Sequence, residues 1–308
     1  MSDLSNNIAI LSYLKDKVHK WKNIAILFAV IAILLFLRLI FGDDFANKIE
    51  TGNYIANIKI EGTIFEEDFR SEILEKIEKD DSAKALIINI DSPGGGIVGS
   101  EILFLELRRI AEKKPTVVLM HSVAASGGYM AAISSDHIIA HNGTLTGSIG
   151  VLMQSAELVE LAQKLGVKFT TYKSAPLKAS PSPFERSNEI VDQVVQESIK
   201  DSAEFFFDLV KSRRGEKLNK KEFSKIFDGR VFTGRQALKA GLIDEIGGKK
   251  QALDYLKTKY NIDSSSVSIR EIDIVKPSNK FFDKLSSSLP FFGAAKQLSG
   301  HEIMAVMP

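Results

Sequence analysis

The sequence predicts an α/β fold with a largely parallel sheet, because β-like runs alternate along the chain with segments of helical periodicity. A strand over 54–60 alternates in polarity, and a helix near 71–79 follows it. An apolar strand over 85–90 then leads into a glycine-rich turn and a helix over 98–112. Strand, turn and helix in this order are typical of the βα unit that builds parallel sheets.

The same alternation continues beyond this first unit. A strand is predicted over 116–120, after which a loop is expected to carry Ser126 into a helix that begins near Gly127. Another short strand is expected around His137, and apolar spacing predicts a helix over 188–210 in the core or at a subunit interface. Both glycine clusters therefore fall at the carboxyl ends of strands, where open α/β sheets place their sites.

Two glycine-rich segments carry the candidate chemistry. Ser126 is followed by Gly127 and Gly128, and the strand over 85–90 ends in a turn that contains Gly94 and Gly95. A serine hydroxyl becomes a useful nucleophile when a neighbouring base takes its proton. Glycines allow a substrate carbonyl to come close to backbone N–H donors. The two segments together predict a nucleophile with an oxyanion hole, and hence acyl transfer.

The base is not evident among the histidines, which are His19, His121, His137, His141 and His301. Their positions favour structural or surface roles, because a general base must reach hydrogen-bond distance of the hydroxyl. A lysine can act instead if an apolar setting keeps it neutral, and Ser-Lys pairs are a known variant of the triad. Lys178 has leucine, alanine and proline neighbours. Its local composition fits either a base or an ordinary loop lysine.

Four ordered blocks resemble the S49 serine peptidases, the family of signal peptide peptidase A. They cover 87–96, 122–129, 144–151 and 228–244, with the lysine segment between the last two. The resemblance implies a crotonase-like fold, also seen in the Clp protease. No internal repeat is evident, so the chain resembles the short family form with one catalytic unit.

The resemblance also implies a role for each matching residue. It makes Ser126 the nucleophile and Lys178 the general base of a Ser-Lys dyad. The backbone N–H groups of Gly95 and Gly127 would form the oxyanion hole, and Ser148 would orient the lysine ammonium.

The lysine segment departs from the family pattern in one respect. Many relatives carry a glycine where this chain has Ala175, which leaves Lys173 as an alternative base. Ser126 and Lys178 lie far apart in the sequence, so they must meet through the tertiary fold or across a subunit boundary. In short family members the resemblance implies the second case, a homo-oligomeric ring in which neighbouring subunits complete each site.

An apolar stretch over 24–41 is predicted to be a transmembrane signal anchor. About 18 residues at roughly 1.5 Å each nearly span a bilayer core of ~30 Å. The charges that flank the stretch are Lys15, Lys17, Lys20 and Lys22 before it, and Asp43 and Asp44 after it. They predict that residues 1–23 lie in the cytoplasm and that the bulk of the chain lies outside a bacterial-type plasma membrane. A cleaved signal peptide or a buried core helix are the alternatives.

The remaining boundaries follow from this anchor. A linker is predicted over 42–52, the peptidase domain over 53–275 and a less regular tail over 276–308. The tail is consistent with a loose end, a membrane-seeking segment or a peptide that visits an active site.

Composition excludes several classes of site. The chain of 308 residues has 40 basic and 39 acidic residues, a balance that does not indicate a nucleic-acid-binding surface. It has no cysteine, which excludes disulfides, thiolate catalysis and cysteine-based metal sites. His137 and His141 flank a β-like stretch, where their spacing does not favour a shared metal. The sequence therefore predicts neither a metal nor a cofactor.

The function expected from these observations is a membrane-anchored serine endopeptidase that cleaves remnant signal peptides or other membrane-proximal polypeptides. Two alternatives stay open at this point. A crotonase-like enzyme could polarise an acyl thioester with the same glycine N–H groups and without a serine nucleophile. A non-catalytic membrane scaffold could be built on the same fold.

Overall fold

The computed structural model describes residues 17–18, 20–33 and 52–275, and the chain separates into two units, 1–52 and 53–308. In the first unit, residues 20–33 are helical. Among the described residues, we find no helix with the length and apolar character that crossing a membrane requires. Residues 34–41 of the predicted anchor, most of the linker over 42–52 and the tail over 276–308 lie outside the described residues.

The second unit begins as an alternation of strands and helices. Its first eight elements are β1 (Tyr54–Ile64), α1 (Asp68–Lys79), β2 (Ala83–Gly95), α2 (Ile97–Lys113), β3 (Thr116–Ala125), α3 (Gly127–Ala132), β4 (His137–Ala140) and β5 (Leu145–Gly147). The remaining elements are α4 (Val159–Lys164), α5 (Glu189–Arg214), a short 3-10 turn (Lys220–Glu222), α6 (Phe223–Ile226), β6 (Val231–Thr233), α7 (Gly234–Ala240), β7 (Glu245–Ile246), α8 (Lys249–Tyr260) and β8 (Ser268–Glu271).

The strands form one mixed sheet in the order β6-β5-β3-β2-β1-β8, and β4 pairs with both β3 and β7. Every described pairing is parallel except β5 with β6. Strand β3 pairs with two further strands at different positions along its length: residues 117–120 pair with β4, and residues 123–125 pair with β5. The predicted α/β fold with a largely parallel sheet is confirmed.

Both faces of the sheet are buried under helices, which explains the nearly continuous apolar runs of its central strands. On one face, Ile88 of β2 packs in a cluster that includes Leu103 of α2. On the other face, Ile87 packs in a cluster that includes Leu256 of α8. Successive strand residues point to opposite faces, so neighbouring isoleucines serve different layers.

Strands β2 and β3 extend further than their apolar patterns predict. The glycine turn belongs to β2, since Gly94 and Gly95 pair with residues 63 and 64 of β1. Likewise β3 continues to Ala125, directly before Ser126, so the loop expected ahead of the serine is absent. The extended part of β2 pairs with β1, and the extended part of β3 pairs with β5. The hydrophobic periodicity of the sequence does not predict either extension.

Residues 151–188, which we call the arm, connect β5 to α5 and contain only α4. Backbone and aromatic contacts hold its two halves together: the Leu158 N–H donates to the Pro183 carbonyl at 2.7 Å, and the rings of Phe169 and Phe184 lie 4.4 Å apart. Even so, Leu152 is 76% exposed and Tyr172 is 94% exposed. The arm therefore presents apolar side chains to solvent in a single chain.

A buried ion pair ties the end of α5 to the segment before β7. The Arg214 guanidinium, 4% exposed, donates to both carboxylate oxygens of Asp244 at 3.0 and 2.9 Å. Burial alone would raise the pKa of Asp244, but the Arg214 charge and hydrogen bonds from Arg214, Lys217 and the Ile138 N–H together lower it. A lowered pKa means that the ionised carboxylate stabilises the fold.

We predict that Asp244→Asn lowers the free energy of unfolding by about 3 kcal/mol at pH 7, because it leaves the buried Arg214 charge uncompensated. Denaturant titration of the two proteins measures this. The difference from wild type should be complete above the aspartate pKa of an unfolded chain, about 3.9. It should shrink as the pH falls through the lower pKa of the folded protein, because protonation removes the same charge.

Asp228→Asn is the matched control, since Asp228 pairs with Arg230 where both side chains are largely exposed. An exposed pair contributes about 0–1 kcal/mol. Equal destabilisation by the two substitutions would show that burial of the Asp244 pair is not what matters.

Candidate active site

Ser126 occupies a sharp turn between β3 and α3 with an unusual backbone conformation. Its φ of 53° and ψ of −121° lie in a region that side-chain-bearing residues rarely adopt. Hydrogen bonds on both sides hold it there: its N–H donates to the Gly147 carbonyl at 2.8 Å, and its carbonyl accepts from the Met130 N–H at 2.9 Å. The side chain is partly exposed. Strain maintained by neighbouring strands is typical of a functional position.

The glycine turn packs directly against this serine. Gly94 has a φ of +105°, and a Cβ atom built on it would lie 2.7 Å from the Gly127 nitrogen and 2.8 Å from the Ser126 Cβ. Side chains rarely adopt this backbone conformation, and no side chain would fit the space. A glycine is therefore required for the turn to approach the nucleophile.

The two predicted oxyanion donors lie close to one another. A Cβ atom built on Gly127 would be 3.3 Å from the Gly95 nitrogen, and Gly127 directly follows Ser126. Gly95 is exposed, which leaves the approach to this region open. Two N–H groups near one nucleophile can stabilise the negative oxygen of a tetrahedral intermediate. The structure thus brings together Ser126, Gly95 and Gly127.

Ser148 directly follows β5 and lies next to Ser126. It follows Gly147, whose carbonyl accepts the Ser126 N–H, and its own N–H donates to the Arg230 carbonyl at 2.9 Å. Its φ of 50° is also in the left-handed region. The fold thus places Ser148 beside Ser126, on the antiparallel edge formed by β5 and β6.

Two buried serines near the glycine turn were missed by sequence reasoning. The Ser92 hydroxyl is fully buried, donates to the Gly62 carbonyl at 2.6 Å and accepts from the Gly94 N–H at 3.1 Å, so it fixes the turn to β1. Ser100, in the first turn of α2, directs its hydroxyl at Gly127. The sequence signal that could have identified both serines is their position close to glycines in the segment 92–100.

Within a single chain, Lys178 makes no hydrogen bond with Ser126. It lies on the arm and is exposed, so the apolar shelter expected for it is absent from one chain. The Lys178 N–H donates to the Ala175 carbonyl at 3.1 Å, and Ala179 after it has a φ of 56°. Its ammonium forms neither a hydrogen bond nor an ion pair with any described residue. The arm makes its contacts mainly within itself, which accounts for this exposure.

The alternative base, Lys173, has a different environment. Its ammonium donates to the Ser180 hydroxyl at 3.0 Å and forms an ion pair with Glu185, and its side chain is 15% exposed. The hydrogen bond from Lys173 lowers the pKa of the Glu185 carboxyl below its ordinary value. The Lys173 ammonium is thus bound by two other residues of the arm. Of the two lysines, Lys178 is the one whose ammonium has no partner among the described residues, and the choice of base stays a prediction.

Two of the described histidines have hydrogen-bond partners other than Ser126. His121 hydrogen-bonds Asn89 at 3.0 Å, while His137 hydrogen-bonds Glu245 at 3.2 Å and stacks on Tyr255 at 4.1 Å. Within the described ranges, no three His, Cys, Asp or Glu side chains are grouped as metal ligands. A cavity of about 930 Å³ lies between the arm and the start of α5, but neither Ser126 nor Lys178 lines it.

Comparison with known proteins assigns the family. The model of peptidase family S49 matches residues 108–263, about half of the chain. A Synechocystis sp. protein named as a candidate protease is 36% identical over 234 residues, which cover 75% of this chain and 83% of that protein. An Enterococcus faecium protein named as a candidate signal peptide peptidase SppA is 35% identical over 63% of this chain.

The relatives differ in length. The aligned part of this chain spans only 56% of the Enterococcus protein. Among solved structures, a variant of the 1510-N membrane-bound stomatin-specific protease with a substrate peptide aligns over 77% of this chain and 98% of that one. That alignment has 20% identity and a TM-score of 0.46. The family match and the Synechocystis relative establish that this chain belongs to peptidase family S49 and is a serine peptidase.

Proposed function

We propose that the protein is a membrane-anchored endopeptidase with a Ser126–Lys178 dyad. The observation that carries this proposal is the strained backbone of Ser126, held beside the N–H groups of Gly95 and Gly127. A serine held next to two closely spaced amides is an arrangement suited to nucleophilic acyl transfer. An acyl-thioester enzyme would not need this conformation at a serine, and family membership also argues against that alternative.

The proposed reaction proceeds through an acyl-enzyme. The Ser126 oxygen attacks the scissile carbonyl carbon while the neutral Lys178 amine takes the hydroxyl proton. The Gly95 and Gly127 N–H groups stabilise the oxyanion that forms. The peptide C–N bond then breaks, and the Lys178 ammonium gives its proton to the leaving amine. Water, deprotonated by Lys178, hydrolyses the ester and releases Ser126.

We place the dyad between two subunits. A lysine acts as a base only where its surroundings disfavour the charged form, and Lys178 is exposed in one chain. A neighbouring chain that covers the arm would supply the missing shelter and a serine partner. The exposed apolar side chains of the arm, Leu152 and Tyr172 among them, support such a contact. Head-to-tail repetition of this contact closes a homo-oligomeric ring.

The proposed substrates are remnant signal peptides or other membrane-proximal polypeptides. Support comes from the Enterococcus relative, whose name describes a signal peptide peptidase. The apolar segment over 24–41 would anchor the enzyme in the plasma membrane, with the peptidase domain on the extracytoplasmic side. A peptidase held at that surface meets segments that leave the bilayer.

We predict that Ser126→Ala and Lys178→Ala each reduce peptide cleavage at least 1,000-fold, because each removes one member of a unit that acts together. Steady-state hydrolysis of a fluorogenic peptide measures this. Covalent labelling by a fluorophosphonate should be lost in Ser126→Ala. Turnover close to wild type in either variant would contradict its assigned role, and a scaffold without activity would show no cleavage even as wild type.

Lys173→Ala is the matched control, since Lys173 lies on the same arm but is already paired with Glu185. It should retain cleavage within a few-fold of wild type. If this substitution abolished activity and Lys178→Ala did not, Lys173 would be the base.

We further predict that mixing the two inactive variants restores cleavage. In a ring with one shared site per contact, about one site in four combines an intact serine with an intact lysine. Co-expression of Ser126→Ala and Lys178→Ala chains, followed by the same assay on the purified assembly, measures this. Continued inactivity of an assembly shown to contain both chains would place the dyad within one subunit.

Membrane topology can be tested because the chain has no cysteine of its own. A cysteine at Ser264, an exposed position between α8 and β8, should react with an impermeant thiol reagent in intact spheroplasts. A cysteine at Ser2 should react only after lysis. The reverse pattern of labelling would contradict the proposed orientation.

A further inference from the structure

The Ser100 hydroxyl is a buried polar group without a partner. The residue is 1% exposed, and its Oγ has no hydrogen bond to any described residue. Buried hydroxyls nearly always have a partner, so an orphan in a peptidase core requires a reason.

Two other helical serines satisfy their hydroxyls locally. Ser198 donates to the carbonyl four residues before it, and Ser212 donates to the carbonyl three residues before it. Ser100 has the same option in α2, where its backbone N–H bonds the Gly96 carbonyl at 3.0 Å. Its hydroxyl does not take this option and points away from its own helix. The side chain is therefore oriented toward something outside α2.

That direction leads to the oxyanion region. A Cβ atom built on Gly127 would lie 2.1 Å from the Ser100 Oγ and 3.3 Å from the Gly95 nitrogen. The hydroxyl thus lies against Gly127 on the side that faces Gly95. The contact also explains why a glycine must follow the nucleophile, since any side chain at 127 would displace the Ser100 hydroxyl.

We propose that Ser100 supplies a third hydrogen bond to the oxygen held by the Gly95 and Gly127 amides. This inference rests on the proposed function of Ser126 and deepens it. The Ser100 hydroxyl uses its hydrogen in no other bond among the described residues, so it can donate to the oxyanion once Ser126 has attacked. A buried donor aimed at a developing charge is preorganised and acts where water is excluded.

Ser92 does not have this role, although it is equally close to the glycine turn. Its hydroxyl already donates to Gly62 and accepts from Gly94, so no hydrogen remains for a substrate. Ser92 positions the turn, whereas Ser100 has a free donor. The contrast between a satisfied and an unsatisfied hydroxyl is what assigns the third bond to Ser100.

The test is Ser100→Ala in the full 308-residue chain. We expect kcat to fall about 10- to 100-fold with KM nearly unchanged, because the lost bond forms mainly in the transition state. A peptide aldehyde, which forms a tetrahedral adduct with the serine, should lose affinity by a similar factor. The matching peptide alcohol has no carbonyl to attack, so its affinity should stay within about two-fold.

Ser134→Ala is the control, because Ser134 is also fully buried but donates to the Ala131 carbonyl at 2.6 Å. It should leave the ratio of aldehyde to alcohol affinity unchanged. Unchanged kcat and aldehyde affinity in Ser100→Ala would overturn the inference, as would an equal loss of affinity for aldehyde and alcohol, which indicates a packing defect.

Failure of the underlying function has a separate signature. If Ser126→Ala cleaved peptide as fast as wild type, the nucleophile and the Ser100 inference would fall together. If Ser126→Ala were inactive while Ser100→Ala behaved as wild type, only the third hydrogen bond would be rejected.

Discussion

The close approach of the glycine turn to Ser126 is the constraint on which the rest of the site depends. Gly94 can contact the Gly127 nitrogen only because it has no side chain and adopts a positive φ. The glycine turn itself is held by its pairing with β1 and by hydrogen bonds of the Ser92 hydroxyl. Three neighbouring strands thus fix two amides against one hydroxyl, and the strain of Ser126 is maintained by these contacts.

Much of the fold and part of the site could be predicted from the sequence, for identifiable reasons. Apolar runs at strand-like lengths locate β1, β2 and β3, and glycines at the carboxyl ends of β2 and β3 locate Ser126 and the two amides beside it. The extension of β2 through Gly95 could not be predicted, since its residues there are polar, proline or glycine and their partners lie on β1. The roles of Ser92 and Ser100 depend on contacts with other elements, which local patterns do not encode.

The lysine shows a different limit of sequence reasoning. Apolar neighbours in the sequence led us to expect a sheltered Lys178, yet the arm is exposed in a single chain. Sequence neighbours determine burial only when the segment packs on a core, and the arm packs mainly on itself. Lys173, between Tyr172 and Ser174, is the less exposed of the two lysines and is paired with Glu185. This pairing depends on three-dimensional contacts that the sequence did not reveal.

The exposed position of the arm has a consequence for when the enzyme becomes active. In the proposed arrangement, with the nucleophile on one chain and the base on the next, a newly exported chain would be latent until it met another copy. Dilution would then inactivate the enzyme without any propeptide. A high local concentration of chains in the bilayer would activate it. A single chain would not cleave the secreted proteins that it meets, so the requirement for self-association would protect them from unwanted proteolysis.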